Sequence, residues 1–445
     1  MVVTAQSQDG KLKLKAVNSC IQLLPTLDGK ALFTIEDIAS AKGAMHPIQD
    51  AMVQSHASQC GFCTPGFVMS LWAQYQQREE AGAPTLAEIH DCLSGNLCRC
   101  TGYRAIATAA QSAYSVPRVH QETDVITEAL HGLRRDRMFS YEAEGRQFFA
   151  PRSLAELSDA QERHPDAVLI AGTTDVGLWI TQQLRELDTL IYLGEVQELQ
   201  SIQEHDDMLE IGGAVTLEDA YHAICKHHPK ELTQFWRRFA SLPIRNMGTF
   251  CGNIANGSPI GDSMPWLLVL DAQLVLHSAA EERVVPLHRF YLGYQKKDLR
   301  PGEVVKSVRI PLPTQGLRWR TYKLSKRFDQ DISAVCAAFA VNLDENGIIQ
   351  SARVAFGGMA ASPQRAPHTE AALVSKRWDE QALEQAELAL SEDYSPISDM
   401  RASSDYRKVS AKQLLRRFWL ETRAHDPLPE QAVNVFAVNH DAESI

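Results

Sequence analysis

Cys60-Gly61-Phe62-Cys63-Thr64-Pro65-Gly66 and Gly95-Asn96-Leu97-Cys98-Arg99-Cys100-Thr101-Gly102-Tyr103-Arg104 decide how this chain is read. Each stretch carries two thiols, C-x-x-C and then C-x-C, with 34 residues between the pairs. Four thiolates in two close pairs can hold one zinc ion or one [2Fe–2S] cluster with two ligands on each iron. The flanks favour the cluster. Cys63 runs through Thr64-Pro65-Gly66 into an apolar helix beginning at Phe67 and Val68, and Cys100 runs through Thr101-Gly102-Tyr103 into one through Ile106, Ala109 and Ala110. Each pair therefore precedes a helix that a threonine could cap. Helix N-termini turn free amides and a positive dipole end toward an anionic centre, and such hydrogen bonds raise a cluster's potential. Structural zinc sites more often use two-residue spacers in both halves. Four buried free thiols are the bland alternative, since cysteine is often only a small apolar residue.

The chain has 445 residues and nine cysteines, too few for a disulfide scaffold. Clustering of five of them (Cys60, Cys63, Cys92, Cys98 and Cys100) in a chain with no visible export signal reads as metal or redox chemistry. Cys92, inside a helix, and Cys225 and Cys336, in apolar surroundings, read as packing residues. The paired His227 and His228 before Pro229 read as a solvated helix end rather than a metal site. The formal net charge of −11 argues against a nucleic-acid surface, which needs a basic face. The longest apolar run falls far short of the roughly 20 residues that span a bilayer. The expectation is a cytoplasmic protein.

Working outward, Lys11-Leu12-Lys13-Leu14-Lys15-Ala16-Val17 alternates like a half-buried strand, with no obvious partner before it. From Thr34 the pattern turns helical, with Thr34 and Asp37 as a cap and Gly43 as the stop. Pro47 opens a second helix, and Thr85 with Glu88 forms a capping box. Residues 117–145 are charged and irregular. Beyond them Ser153 and Glu156 cap a helix, residues 167–171 read as a strand, Gly172-Thr173-Thr174 as a turn, and Leu178, Ile180 and Leu184 as a helix. Thr216 and Asp219 cap another. Residues 245–265, rich in Gly, Asn, Ser and Pro, read as a long loop. Strands are expected at 274–276, 304–310 and 335–341, with a turn at Asp344-Glu345-Asn346-Gly347.

The cysteine motifs resemble the helical [2Fe–2S] domain of molybdenum hydroxylases, and residues 10–425 together resemble the small subunit of bacterial xanthine dehydrogenase. The resemblance implies a multidomain α+β chain. It comprises residues 1–33 as the remnant of a plant-type [2Fe–2S] ferredoxin domain, 34–116 as an all-helical [2Fe–2S] domain, and 117–138 as a linker. Residues 139–316 would form an α+β FAD-binding domain of the vanillyl-alcohol-oxidase (PCMH) type, and 317–428 an α+β domain like the C-terminal domain of CO dehydrogenase flavoprotein, followed by a tail at 429–445. Cys60, Cys63, Cys98 and Cys100 are the implied cluster ligands.

For FAD, the resemblance implies a first segment of Leu169, Ile170, Ala171, Gly172, Thr173, Thr174, Asp175 and Val176, whose small-residue turn lets backbone amides approach a pyrophosphate. The second segment starts at Arg245-Asn246-Met247-Gly248-Thr249 and wraps the diphosphate and ribitol. By position, Phe239 lies against the ring system, Thr249 and Asn253 bond phosphate or ribityl oxygens, and Asp262 bonds a hydroxyl of the adenosine end. Val305 and Lys323 match two further contacts. From the residues alone, Asp262 reads as a loop cap and Lys323 as a solvated strand charge. Arg327, Asp329 and Asp331 are candidates for shaping access to the ring.

Two features depart from the family. Cys251 replaces the first of two glycines. Cys20 matches only the fourth cysteine ligand of the ferredoxin domain, so the expectation is that Met1 lies inside a longer reading frame. The resemblance implies an electron-transfer half of an oxidoreductase: a molybdenum-cofactor subunit oxidises hypoxanthine or xanthine, and electrons pass through [2Fe–2S] and FAD to NAD⁺. No side chain is assigned as acid, base or nucleophile, and the expected assembly is a hetero-oligomer with the molybdenum-binding large subunit of xanthine dehydrogenase. Another molybdenum hydroxylase, acting on an aldehyde or N-heterocycle, and a remnant binding neither cofactor are the alternatives.

Overall fold

The computed structural model describes residues 1–8, 11–39, 43–78 and 82–434. The alternating strand near the N-terminus does have a partner. β1 (Val2–Gln8) pairs antiparallel with β2 (Lys11–Val17), Val2 opposite Val17, and β3 (Ala31–Phe33) flanks β1 on its other edge. β1 escapes a periodicity reading because its inward residues include the small Ala5, which weakens the apolar alternation. Val3, Ala5, Leu14, Ala16 and Phe33 share one core with Phe67, Trp72 and Ile106 of the helices that follow.

The helix expected from Thr34 to Gly43 reduces to a single 3₁₀ turn, Ile35–Asp37, before residues 40–42, which lie outside the described residues. Its Thr34/Asp37 cap is present, but only Ile38 is buried there, so no apolar stripe supports propagation. α1 (Pro47–Gln54) starts at its proline as expected. α2 (Thr64–Gln77), α3 (Leu86–Leu93, with the Thr85/Glu88 box) and α4 (Arg104–Ser112) complete the cysteine-bearing unit. The stretch read as irregular contains α5 (Thr123–Leu133), which buries Leu130.

Two sheets follow. β4 (Phe139–Ala143), β5 (Arg146–Ala150), β6 (Val168–Ile170) and β7 (Thr189–Tyr192) form the order β4-β5-β7-β6, with β7 parallel to both neighbours. α6 (Leu154–Arg163) follows its Ser153 cap, and α7 (Val176–Thr181) stops short of Leu184, which is exposed at a φ of +55°. The second sheet holds β8 (Ile202–His205), β9 (Met208–Gly212), β10 (Gln273–His277), β11 (Glu282–Pro286) and β12 (Val304–Pro311) in the order β11-β10-β12-β9-β8. Between β9 and β10 lie α8 (Leu217–His227), α9 (Pro229–Arg238), α10 (Leu242–Arg245), α11 (Phe250–Asn256) and α12 (Ser263–Val269).

The long loop expected at 245–265 is therefore mostly short helix. Thr249 caps α11 by accepting from the Gly252 amide at 3.1 Å, and burial of Phe250, Cys251 and Ile254 outweighs the poor propensity of its Gly and Asn residues. His228 is buried, not solvated. Its ring stands edge-on to Trp319 at 5.1 Å, and burial pushes its pKa down to about 4. His227 pairs with Glu204 at 2.9 Å.

The last unit is a four-stranded antiparallel sheet of β13 (Leu317–Leu324), β14 (Val335–Leu343), β15 (Ile349–Gly357) and the short β16 (Gln364–Arg365), with α13 (Pro367–Leu373), α14 (Glu380–Asp393) and α15 (Ser404–Thr422). β14 is buried on both faces, which explains its unbroken apolar run. Val335, Ala337, Phe339 and Val341 face the core with Leu383, Leu415 and Phe418. The small Cys336, Ala338 and Ala340 face the core of the preceding domain with Trp266 and Leu267. Of the tail, Glu430–Val433 forms one helical turn, and residues beyond 434 lie outside the described residues. Among the described residues no helix is long and apolar enough to cross a membrane.

Candidate functional site

The four motif cysteines come together across the motifs. Cys63 lies beside Cys98, and Cys60 beside Cys100, close enough for each to shift its neighbour's titration. Gly61, at a φ of +83°, makes the turn that returns the chain from Cys60 to Cys63, and Cys63 is itself the N-cap of α2. The threonines do not cap as expected. Thr64 is the first helical residue, its hydroxyl 2.7 Å from that of Ser58, and α4 begins after Tyr103, at a φ of +68°. Thr101 instead donates to Cys98 Sγ, from its hydroxyl at 3.2 Å and its amide at 3.4 Å, and these bonds bring the Cys98 pKa down to about 7. Burial and the neighbouring Cys98 push Cys63 up to about 11.

The donor set is four thiols, one neighbouring pair contributed across the motifs by Cys63 and Cys98 and the other by Cys60 and Cys100. A two-iron centre needs two thiolates on each iron, and two thiol pairs are what the fold supplies. The residues fit the cluster. The remaining cysteines play other parts: Cys92 Sγ donates to the Ser70 carbonyl at 3.3 Å inside the core, and Cys336 is fully buried. Cys225 is half-buried and Cys20 exposed.

The two segments expected to bind flavin meet at Gly172. A Cβ there would lie 2.1 Å from the Met247 carbonyl oxygen and 2.5 Å from Gly248 Cα, so only glycine permits this contact. Leu169 and Ile170 end β6, Asp175 precedes α7 and Val176 begins it. Next to Gly172, Thr173 holds the left-handed conformation at a φ of +57°, and its buried hydroxyl has no hydrogen-bond partner. On α11, the buried side-chain oxygen of Asn253 also lacks a partner. A buried polar atom left unpaired costs about 1–3 kcal/mol. An unpaired hydroxyl beside the glycine-tight junction and an unpaired amide oxygen on α11 fit a ligand rich in hydroxyl and phosphate oxygens, as FAD is.

Ala171, Gly172, Thr173 and Thr249 line a cavity of about 1230 Å³ that reaches Lys13 and Lys15 of the N-terminal sheet. The other expected contacts lie apart from it. Phe239, 9% exposed, packs 5.7 Å from the Tyr221 ring, and the Tyr221 hydroxyl lies 3.1 Å from that of Ser263, beside Asp262. Asp262 and Lys323 are neither loop cap nor solvated charge. Lys323 Nζ lies 2.5 Å from Asp262 Oδ2 in a buried ion pair, and Ser333 Oγ bonds both partners. Lys323 also donates to the Asp331 carbonyl at 2.6 Å, which ties the 325–334 loop to the pair, while Arg327 and Asp331 pair on the surface of that loop. Val305, on β12, stands opposite Leu276. Cys251 turns into the core, its Sγ donating to the Ile211 carbonyl at 3.5 Å, so it presents no thiol at the junction. Ser333 and Tyr221 had no signal in the sequence, because their roles come from pairing across 71 and 42 residues.

Three families match successive parts of the chain: the [2Fe-2S] binding domain over residues 34–111, the FAD binding domain in molybdopterin dehydrogenase over 140–313, and the CO dehydrogenase flavoprotein C-terminal domain over 320–422. The chain is 30% identical to a xanthine dehydrogenase of Emericella nidulans over 480 residues, covering 94% of this chain and 34% of that protein. It thus spans about one third of the length of that relative. Among solved structures, a chain of carbon monoxide dehydrogenase from Hydrogenophaga pseudoflava aligns with a TM-score of 0.57 and 26% identity, over 63% of this chain and 96% of that one. A chain of quinoline 2-oxidoreductase from Pseudomonas putida 86 aligns with a TM-score of 0.55 and 30% identity, over 61% and 94%. An iron–sulfur domain, a flavin domain and a flavoprotein C-terminal domain in this order, on a fold that accommodates both cofactors, place the chain in the molybdenum hydroxylase family, as an iron–sulfur and flavin chain of the xanthine dehydrogenase-like type.

Proposed function

We propose that this chain is the electron-transfer component of a xanthine dehydrogenase, working with a chain that binds the molybdenum cofactor, with hypoxanthine or xanthine as the substrate class and NAD⁺ as acceptor. When bound, the cluster supplies one-electron transfer and the flavin supplies the step from one-electron to two-electron chemistry. The protein's own part is to hold, orient and tune. Cys60, Cys63, Cys98 and Cys100 would ligate the irons, and Thr101 would donate to the Cys98 sulfur, an interaction that raises a cluster's potential. The Thr173 hydroxyl would donate to a flavin phosphate or hydroxyl oxygen, and Asn253 Oδ1 would accept from a flavin hydroxyl. Leu169, Ile170, Ala171, Gly172, Thr174, Asp175, Val176, Phe239, Thr249, Asp262, Val305 and Lys323 would complete the flavin site.

The observation that carries the reading is that the four motif thiols neighbour one another across the motifs in a chain whose flavin-domain match also holds the unpaired buried polar atoms of Thr173 and Asn253. The 30% identity to a xanthine dehydrogenase along 94% of the chain supports the purine assignment. The equal identity to quinoline 2-oxidoreductase supports a second reading, an N-heterocycle hydroxylase. Co-purification with the molybdenum chain, followed by NAD⁺ reduction assays with xanthine and with quinoline, separates them. The proposal expects xanthine-dependent NADH formation; turnover with quinoline alone would select the alternative.

A further inference from the structure

Arg245 opens the second flavin segment, yet its side chain points elsewhere. Its guanidinium is fully buried. Nη2 donates to Asp91 Oδ1 at 2.7 Å and Nε to Glu218 Oε2 at 2.7 Å. Nη1 donates to the backbone carbonyls of Phe239 and Ala240, each at 3.3 Å, and the Trp236 ring lies 5.4 Å away. Asp91 sits on α3, seven residues before Cys98 in the sequence. Glu218 sits on α8, and Phe239 is the residue expected against the flavin ring. One guanidinium therefore joins the cysteine-bearing unit, the flavin domain and the backbone of the ring-facing residue.

Three further features converge on this joint. Ala240 holds a φ of +50°, a left-handed conformation that a non-glycine residue keeps only when its surroundings impose it. The two carbonyl bonds from Arg245 supply that constraint. The Leu242 amide donates to Ser94 Oγ at 2.8 Å. The Gly95 amide donates to Gln330 Oε1 at 2.6 Å, and a Cβ at Gly95 would lie 2.7 Å from the Ser241 side chain. The loop leading into Cys98 is thus seated on residues 239–245 and on the 325–334 loop. Lysine could not replace this arginine, because a single ammonium cannot reach two carboxylates and two carbonyls in fixed directions.

We infer that Arg245 is a positioning residue: it sets where the cysteine loop sits relative to the Phe239 face of the flavin site, by clamping Asp91, Glu218 and the strained 239–240 backbone together. This rests on the proposed electron-transfer function. A purely structural arginine would matter only for stability, whereas a positioning arginine also controls the ring's environment and the path between the two centres.

The test uses the full chain carrying its cofactors, comparing wild type with Asp91→Asn and Arg245→Lys. Asp91→Asn keeps Arg245 on Glu218 and loses only the charged arm to the cysteine unit. The inference expects both variants to retain iron and flavin at wild-type stoichiometry, with the cluster's EPR signal unchanged. It also expects an altered flavin visible circular dichroism and electron redistribution between cluster and flavin, after pulsed partial reduction, slowed about ten-fold or more. A dichroism spectrum and redistribution rate within two-fold of wild type in both variants would overturn it. If Arg245→Lys does not fold, the same readouts on Asp91→Asn decide. A wild-type chain that takes up neither iron nor flavin would instead overturn the functional reading on which the inference stands.

Discussion

His228 shows how a residue's environment reverses its sequence reading. The polar His227-His228-Pro229 stretch suggests a solvated end, but His228 is 3% exposed against Trp319, and one ring nitrogen is unpartnered. Burial holds its pKa near 4, and burial does the same to His46. Both folded values lie below the ordinary 6.5 of an unfolded histidine. The folded state therefore takes up protons less readily, so the stability these residues confer is complete above about pH 6.5 and lost as pH falls toward 4. Each residue should cost on the order of 2 kcal/mol by pH 4. Denaturant unfolding at pH 7 and pH 4.5 should show that loss, and His228→Phe should remove about half of it; an unchanged pH dependence would contradict the assignment. The cluster cysteines, by contrast, were legible because metal chemistry fixes their spacing locally. Arg245, Tyr221 and Ser333 were not, because their partners are distant in sequence.

At the scale of elements, several capping residues were legible, although Thr64 and Thr101 beside the cysteines do not cap. Ser153, Thr85, Thr216 and the Thr34/Asp37 pair all lie where the sequence placed them, since a cap is satisfied within four residues. Composition misled at 245–265, where Gly and Asn suggest loop but a cap and three buried apolar side chains form α11. The strand–turn–helix at 168–181 was readable, but its reason was not: Gly172 is required by Met247 and Gly248, far along the chain. Gly172→Ala should force these segments apart at a cost of about 1–3 kcal/mol. It should also leave the purified chain without flavin while its iron content stays normal. Flavin absorbance after gel filtration checks this, and wild-type flavin content would show that the close approach is dispensable.

For the whole molecule, packing crosses the division expected at residue 33. The N-terminal sheet shares its core with the cysteine-bearing helices and is fastened to the flavin domain by Lys13 and Lys15, at 2.7 and 2.6 Å from Asp219, and by the Asn246 side chain on the Ala16 carbonyl at 2.9 Å. Burial disfavours the charged Asp219, but the two lysines outweigh it and hold its carboxyl well below the usual range. Asp219→Asn should lower stability by about 1 kcal/mol, the pair being partly exposed, and speed limited proteolysis of the N-terminal segment. A proteolysis rate equal to wild type would show that the fastening lies elsewhere. This assembly brings the thiol pairs and the flavin cradle into one chain. The most direct test of that claim is the metal and flavin content of anaerobically prepared protein, wild type beside Cys63→Ser and Cys98→Ser. The account predicts two irons and one flavin per chain in the wild type, and loss of the cluster but not of the flavin in both variants. Zinc at this position, or iron retained by both serine variants, would contradict it.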